Sequence, residues 1–183
     1  MDLGFDVDGV IADFVSGFAN AVKRRYGLVL REEDVCHHDL GLVLGISEGE
    51  KDRLIRETMR ENLPLITGAK ESLARLYDHG HRIVIMTWRP REFADSTREW
   101  LRSKDISYSE LVFLDSGGRR ADPINVDMVV EDNLENAIEW SQRVKKVLLY
   151  DHPWNRSLNI EKLFKRVYSW KEVLEETEAQ SSA

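Results

Sequence analysis

The chain has 183 residues, 42% hydrophobic and 32% charged, a size and balance that suit one globular domain, or one with a modest insertion, and can bury a core without staples. A formal net charge of −7 makes a poor general binder of nucleic acid or anionic membrane, so an anionic ligand needs a local cation. One cysteine, Cys36, precludes an internal disulfide; with no apolar run near about 18 residues and no signal-peptide core, the expected location is the cytoplasm.

Residues 3–7 read as a short apolar strand ending in two acids, Asp6 and Asp8. Residues two apart on a strand share a face, so both carboxylates can aim at one point. Their repulsion calls for a cation or a proton between them. The plainer reading is a strand end whose Asp8-Gly9 pair supplies a turn. From 12 to 26 apolar residues recur at helical spacing (Phe14, Val15, Phe18, Ala19, Val22, Tyr26), with a basic last turn and Gly27 as cap. Residues 28–45 are mixed and hold Cys36-His37-His38-Asp39, a cluster without the second ligand pair that zinc sites use. Ser47 with Glu50 forms a capping-box pattern for a helix expected to run to about residue 62, where Pro64 stops it.

The character then changes. A helix is expected from 67 or 68 to 78, and a strand buried on both faces at 82–86. Thr87-Trp88-Arg89-Pro90 follows as a loop, then a helix over 92–103, a strand at 111–114 and a loop at 115–118. A buried strand at 128–130 ends in Glu131-Asp132-Asn133, and 133–142 is helical. The strand 147–150 ends at Asp151-His152-Pro153. A last short strand at 166–168 precedes an acidic helix, with 178–183 as a frayed tail. Strands alternating with helices predict an α/β fold with a parallel sheet. Residues 15–65 break the alternation and are expected to be a helical cap inserted after the first strand, leaving 1–14 and 66–183 as the core.

In an open α/β sheet, ligands sit beyond the carboxyl ends of the strands. That rule collects Asp6 and Asp8, Thr87 and Arg89, Asp115 with Arg119 and Arg120, Glu131 and Asp132, and Asp151 and His152. Carboxylates without His or Cys partners favour a hard cation such as Mg²⁺. A hydroxyl and a guanidinium beside it suit a phosphoryl group. Each residue keeps a plainer alternative: Glu131-Asp132 as helix caps, Thr87 as a strand-end hydroxyl, Arg89 facing solvent, Arg120 in a solvated loop, Phe14 and Trp88 in the core.

Asp6-Val7-Asp8-Gly9-Val10, Met86-Thr87 and Glu131-Asp132, in this order, resemble the haloacid dehalogenase (HAD) superfamily over nearly the whole chain. Asp-x-Asp-Gly-Val-x-x-Asp-Phe resembles the small 5'(3')-deoxyribonucleotidases, type C 5'-nucleotidases, within it. Residues 151–156 are similar to a segment of their bacterial relatives. The resemblance implies a three-layer α/β/α Rossmann-like core with a small C1-type cap. It implies Asp6 as nucleophile, Asp8 as general acid and base, and Mg²⁺ on Asp6, the Asp8 carbonyl and Asp132. It implies Thr87, with Trp88 beside it, on the phosphate, and Phe14, Arg89 and Glu131 toward the substrate. The motif lysine is missing between Lys104 and Lys145, so Arg120 or Arg119 takes its place. The expected activity is Mg²⁺-dependent hydrolysis of (deoxy)nucleoside 5'-monophosphates through an aspartyl-phosphate. A sugar phosphatase or a catalytically idle phosphate-binding module are the alternatives. No nucleic-acid polymer or membrane partner is expected, and a homodimer is left open.

Overall fold

The computed structural model describes residues 1–114, 124–156 and 163–181. Its centre is a six-stranded parallel sheet: β1 (Asp2–Asp6), β2 (Arg82–Thr87), β3 (Glu110–Phe113), β4 (Met128–Glu131), β5 (Lys146–Tyr150) and β6 (Lys165–Val167), in the order β3-β2-β1-β4-β5-β6. β1 is therefore central, between β2 and β4, with Asp6 level with Met86 and Phe5 level with Val130. Such a sheet must bury both faces, and the period-2 alternation divides its side chains into two cores. Leu3, Phe5, Ile83, Ile85, Met128, Val130 and Leu148 pack on one side with α4 (Ala69–Asp78), α5 (Ala94–Ser103) and α7 (Trp170–Ser181). Val84, Met86, Val112, Val129, Val147 and Leu149 pack on the other with α6 (Leu134–Ser141). Gly4 faces this second side, where a Cβ would lie 2.7 Å from Met86 Cε, so the crowded centre of the sheet has no room for one. The result is a helix–sheet–helix sandwich.

The segment between β1 and α4 holds α1 (Phe14–Tyr26), α2 (Leu40–Leu44) and α3 (Glu48–Thr58). Val15, Phe18, Ala21, Val22, Val35, Leu40 and Leu54 give it an apolar cluster of its own. Its two ends are stitched together: Asp13 N–H donates to Pro64 O at 3.0 Å and Ile66 N–H to Ile11 O at 2.9 Å.

Three boundaries differ from the pattern in the sequence. α1 starts at Phe14, because residues 7–12 are used up in a tight loop and Asp13 caps the helix by accepting from Ser16 N–H. α3 keeps its Ser47/Glu50 capping box but stops at Thr58, whose hydroxyl donates back to Leu54 O at 2.8 Å. The expected frayed tail remains helical through Ser181, with Glu178 paired to Arg75 of α4 at 2.6 Å. Among the described residues, no helix is long and apolar enough to cross a membrane.

Candidate active site

The sheet register sets the site. With β1 between β2 and β4, the acid ending β1 stands beside the acids ending β4. Asp6, Glu131 and Asp132 are all buried, and one carboxylate oxygen from each lies within 4.8 Å of the others. Burial raises all three carboxyl groups, and the charges of Glu131, Asp132 and Asp8 push Asp6 further up. Glu131 Oε1 accepts from the backbone N–H of Asp132 (3.2 Å) and Asn133 (3.0 Å), which offsets part of its burial. Asp6 Oδ1 is buried without a hydrogen-bond partner among the described residues. Three buried acids, one with an orphaned oxygen, are the donor set that a hard divalent cation satisfies.

The loop after β1 keeps the acids close. Ile11 and Ala12 N–H both donate to Val7 O (2.9 and 2.8 Å), and Gly9 sits at φ 87°. His152, after β5, fastens this loop. Its Nε2 lies 2.7 Å from Gly9 O and its Nδ1 2.8 Å from Glu32 Oε1. Both partners only accept, so both ring nitrogens donate and the ring is an imidazolium. Burial alone would lower its pKa, but the Glu32 hydrogen bond, the Asp132 charge and the Gly9 carbonyl outweigh it and raise the value. The ring stacks on Trp154 at 4.1 Å, and Trp154 Nε1–H donates to Asp132 Oδ2 at 3.0 Å. Asn155 Nδ2 donates to Asp132 O and Tyr150 O.

From β2, Thr87 is buried and its Oγ1 accepts the Arg89 backbone N–H at 3.2 Å, which leaves the hydroxyl hydrogen to donate elsewhere. Trp88 Nε1–H is buried and has no acceptor among the described residues. Arg89 is 3% exposed and does not face solvent. It forks onto Asp8, Nε to Oδ2 at 2.8 Å and Nη2 to Oδ1 at 2.6 Å. Burial works against its charge, but Asp8 more than compensates.

A cavity of about 380 Å³ opens above these groups. Its floor includes Asp6, Asp8, Glu131 and Asp132. Phe14, Val35, Leu40, Ile55 and Met59 of the inserted segment wall it on the apolar side, with Trp88 and Trp154 from the core. Phe14 also stacks on Phe18 at 6.3 Å, so it serves the packing of the segment and the wall together. His38 ties the segment to the core. Asn133 Oδ1 caps α6 by accepting Asn136 N–H, so Nδ2 donates to His38 Nε2 at 2.7 Å.

The structure thus brings Asp6, Asp8, Phe14, Trp88, Arg89, Glu131 and Asp132 around one cavity; Thr87 is buried next to Arg89 and is not among the residues that line it. Arg119 and Arg120 lie outside the described residues. The sequence pattern does not single out Glu32; it collects His152 only as a strand-tip residue and takes in Asn155 only within the segment 151–156. His152 does cap the 3₁₀ turn Pro153–Asn155, but its ring acts on Gly9, 143 positions away. The Cys36–Asp39 stretch supplies hydrogen bonds, Asp39 capping α2, and Cys36 is exposed.

A family model described as "5' nucleotidase, deoxy (Pyrimidine), cytosolic type C protein" matches residues 1–180. A nucleotidase of Clostridium acetobutylicum is 26% identical over 178 residues, spanning 94% of this chain and 91% of its own. Among solved structures, a haloacid dehalogenase-like hydrolase of Streptococcus pneumoniae superposes with a TM-score of 0.68 at 14% identity, covering 96% of this chain and 97% of its own. A HAD hydrolase of Bacillus subtilis, solved with magnesium bound, gives 0.64 at 14% identity, covering 95% and 96%.

Proposed function

Because the chain belongs to the cytosolic type C 5'-nucleotidase family of HAD phosphatases, and its substrate is a small phosphate monoester, we propose that it hydrolyses (deoxy)nucleoside 5'-monophosphates with Mg²⁺ through an aspartyl-phosphate on Asp6. The observation that carries this reading is a polar floor of buried acids under an apolar, aromatic wall in one cavity. Its volume of about 380 Å³ lies within the ~300–1,000 Å³ of small-molecule sites. The acids of the floor would take the phosphate together with its metal, and the rings of Phe14 and Trp88 in the wall would face the base. The family description names deoxy and pyrimidine substrates, which supports a deoxynucleotide.

Mg²⁺ would be held by Asp6, Asp132 and the Asp8 carbonyl, where it supplies neutralisation of phosphate charge. The rest falls to the chain. Thr87 Oγ–H, whose oxygen already accepts from Arg89 N–H, and the unpartnered Trp88 Nε1–H are the donors we assign to the phosphate oxygens. Asp6 attacks phosphorus in line, and the bond to the nucleoside O5' breaks. Asp8 gives that oxygen its proton. Water then loses a proton to Asp8 and opens the aspartyl-phosphate. Arg119 or Arg120 is the candidate for the missing lysine. The single cysteine suits the cytosol that the family description names.

The test is a panel of ribo- and deoxynucleoside 5'-monophosphates beside sugar phosphates, each with EDTA and with Mg²⁺. Nucleotides should give the higher kcat/KM, with turnover lost in EDTA and regained with Mg²⁺. A higher kcat/KM for sugar phosphates overturns the substrate, and a chelator-indifferent rate overturns the metal.

A further inference from the structure

We propose that Arg89 is the positioning residue of proton transfer: it fixes the Asp8 carboxylate in the cavity and acts through Asp8, not on the phosphate. The proposal rests on the phosphatase reading above and names a part of that site which the reading leaves without a role.

Three of the five guanidinium N–H groups have partners. Nε and Nη2 form the fork on Asp8 at 2.8 and 2.6 Å. Nη1 points to Thr97 Oγ1 at 3.4 Å, and the plane lies 5.8 Å from the Trp100 ring centroid. Thr97 and Trp100 are both buried in α5, so the fork is mounted on packed structure. The Arg89 backbone is anchored too, through its N–H on Thr87 Oγ1. To turn that fork onto a phosphate, Arg89 would have to release Asp8 and break a carboxylate–guanidinium pair whose guanidinium is buried. Asp8, in contrast, stands on a loop beyond the end of β1, and among the described residues only the Arg89 fork hydrogen-bonds its carboxylate. The fork takes one lone pair from each Asp8 oxygen and leaves the others for a proton. A planar fork fixes both rotation and tilt of its partner, which a point charge does not.

The role predicts which substrates notice its loss. When Asp6 displaces an alcohol, the electron pair of the P–O bond leaves on an alkoxide that needs the Asp8 proton. When it displaces p-nitrophenol, the pair leaves as p-nitrophenolate and needs none. Both routes then require Asp8 to take a proton from the water that attacks the aspartyl-phosphate. kcat/KM covers only the steps through the first displacement, so it separates the two esters.

The experiment compares wild type, Arg89→Gln and Arg89→Lys on a deoxynucleoside 5'-monophosphate and on p-nitrophenyl phosphate, with thermal melts to follow folding. For Arg89→Gln, kcat/KM on the nucleotide should fall by about 10²–10³-fold, the range of a lost acid. On the aryl ester it should stay near wild type, with a burst of p-nitrophenolate approaching one per chain as the second step slows. Arg89→Lys keeps the charge without the fork, and it should show the same split in milder form; it also preserves the test if the Gln variant folds poorly. In an Asp8→Asn background, Arg89→Gln should change the nucleotide rate no further. Equal losses on both esters with raised KM would assign Arg89 to the phosphate and overturn the proposal. Additive losses with Asp8→Asn, or unchanged rates, would overturn it as well. Failure of the underlying phosphatase reading is distinct: the wild-type protein would then turn over neither ester, which overturns both.

Discussion

Gly9→Ala isolates the closest backbone approach in the site. Gly9 sits at φ 87°, a region that costs an L-residue about 1–2 kcal/mol. A Cβ there would lie 2.4 Å from Asp132 Oδ2 and 2.5 Å from its Cγ. Asp132 cannot step aside cheaply: it is buried, and its Oδ2 receives Trp154 Nε1–H at 3.0 Å. The carboxylate must leave the group it forms with Asp6 and Glu131. Gly80→Ala is the matched control, with φ 82° and no atom within 4 Å of the added Cβ. Both variants should lose about 1–2 kcal/mol from the backbone alone, which is about 2–8 °C in Tm for a chain of this size. Gly9→Ala should lose more than that and should also weaken Mg²⁺ binding and cut turnover by at least about tenfold, the effect of about 1.4 kcal/mol in either quantity. Melts with and without Mg²⁺, beside steady-state rates on a nucleotide, read all three. If Gly9→Ala matches Gly80→Ala in Mg²⁺ response and rate, the close packing of the loop on Asp132 has no functional weight.

Two further outcomes follow from the same contacts. Glu131 is raised to about 7 and Asp132 to about 8 by burial, from 4.5 and 3.8. The folded state therefore binds more protons than the unfolded one between about pH 4 and 8, and metal-free stability falls as pH rises through that window, by a few kcal/mol at the order-of-magnitude level. Melting in EDTA should decline from pH 5 to 8.5, and Mg²⁺ should raise Tm more at the upper end; a flat or rising metal-free curve contradicts the buried acids. Trp170→Ala removes a side chain that is 1% exposed, stacks on Phe5 at 5.4 Å and donates to Val10 O at 2.9 Å. Denaturant unfolding should show a loss of about 3–5 kcal/mol, and a loss below about 1 kcal/mol would mean the sheet face repacks.

The sheet was legible because each strand is an apolar run closed by polar residues, and a parallel sheet buried on both faces permits little else. Asp6 and Asp8 announced the site because Asp is rare inside strands and two so close repel. Glu131-Asp132 was legible both as a strand tip and as a helix cap, and Glu131 does take the first N–H groups before α6. What escaped the pattern is long-range pairing. Nothing local tells that Arg89 meets Asp8 across 81 positions, or that His152 meets Gly9 and Glu32. An arginine after a strand reads equally as solvated, phosphate-binding or paired; only the register of β1 beside β2 decides. The end of α7 was misjudged for the same reason, since its support is Arg75 on another helix.

The proposed mechanism requires Asp6 to receive the phosphoryl group. The most direct measurement is turnover of a deoxynucleoside 5'-monophosphate radiolabelled in its phosphate, quenched in acid and mapped by peptide mass. Alkali-labile phosphate should appear on Asp6 at up to one per chain, with both label and turnover lost in Asp6→Asn and folding retained. Turnover persisting in Asp6→Asn, or phosphate found on another residue, would contradict it.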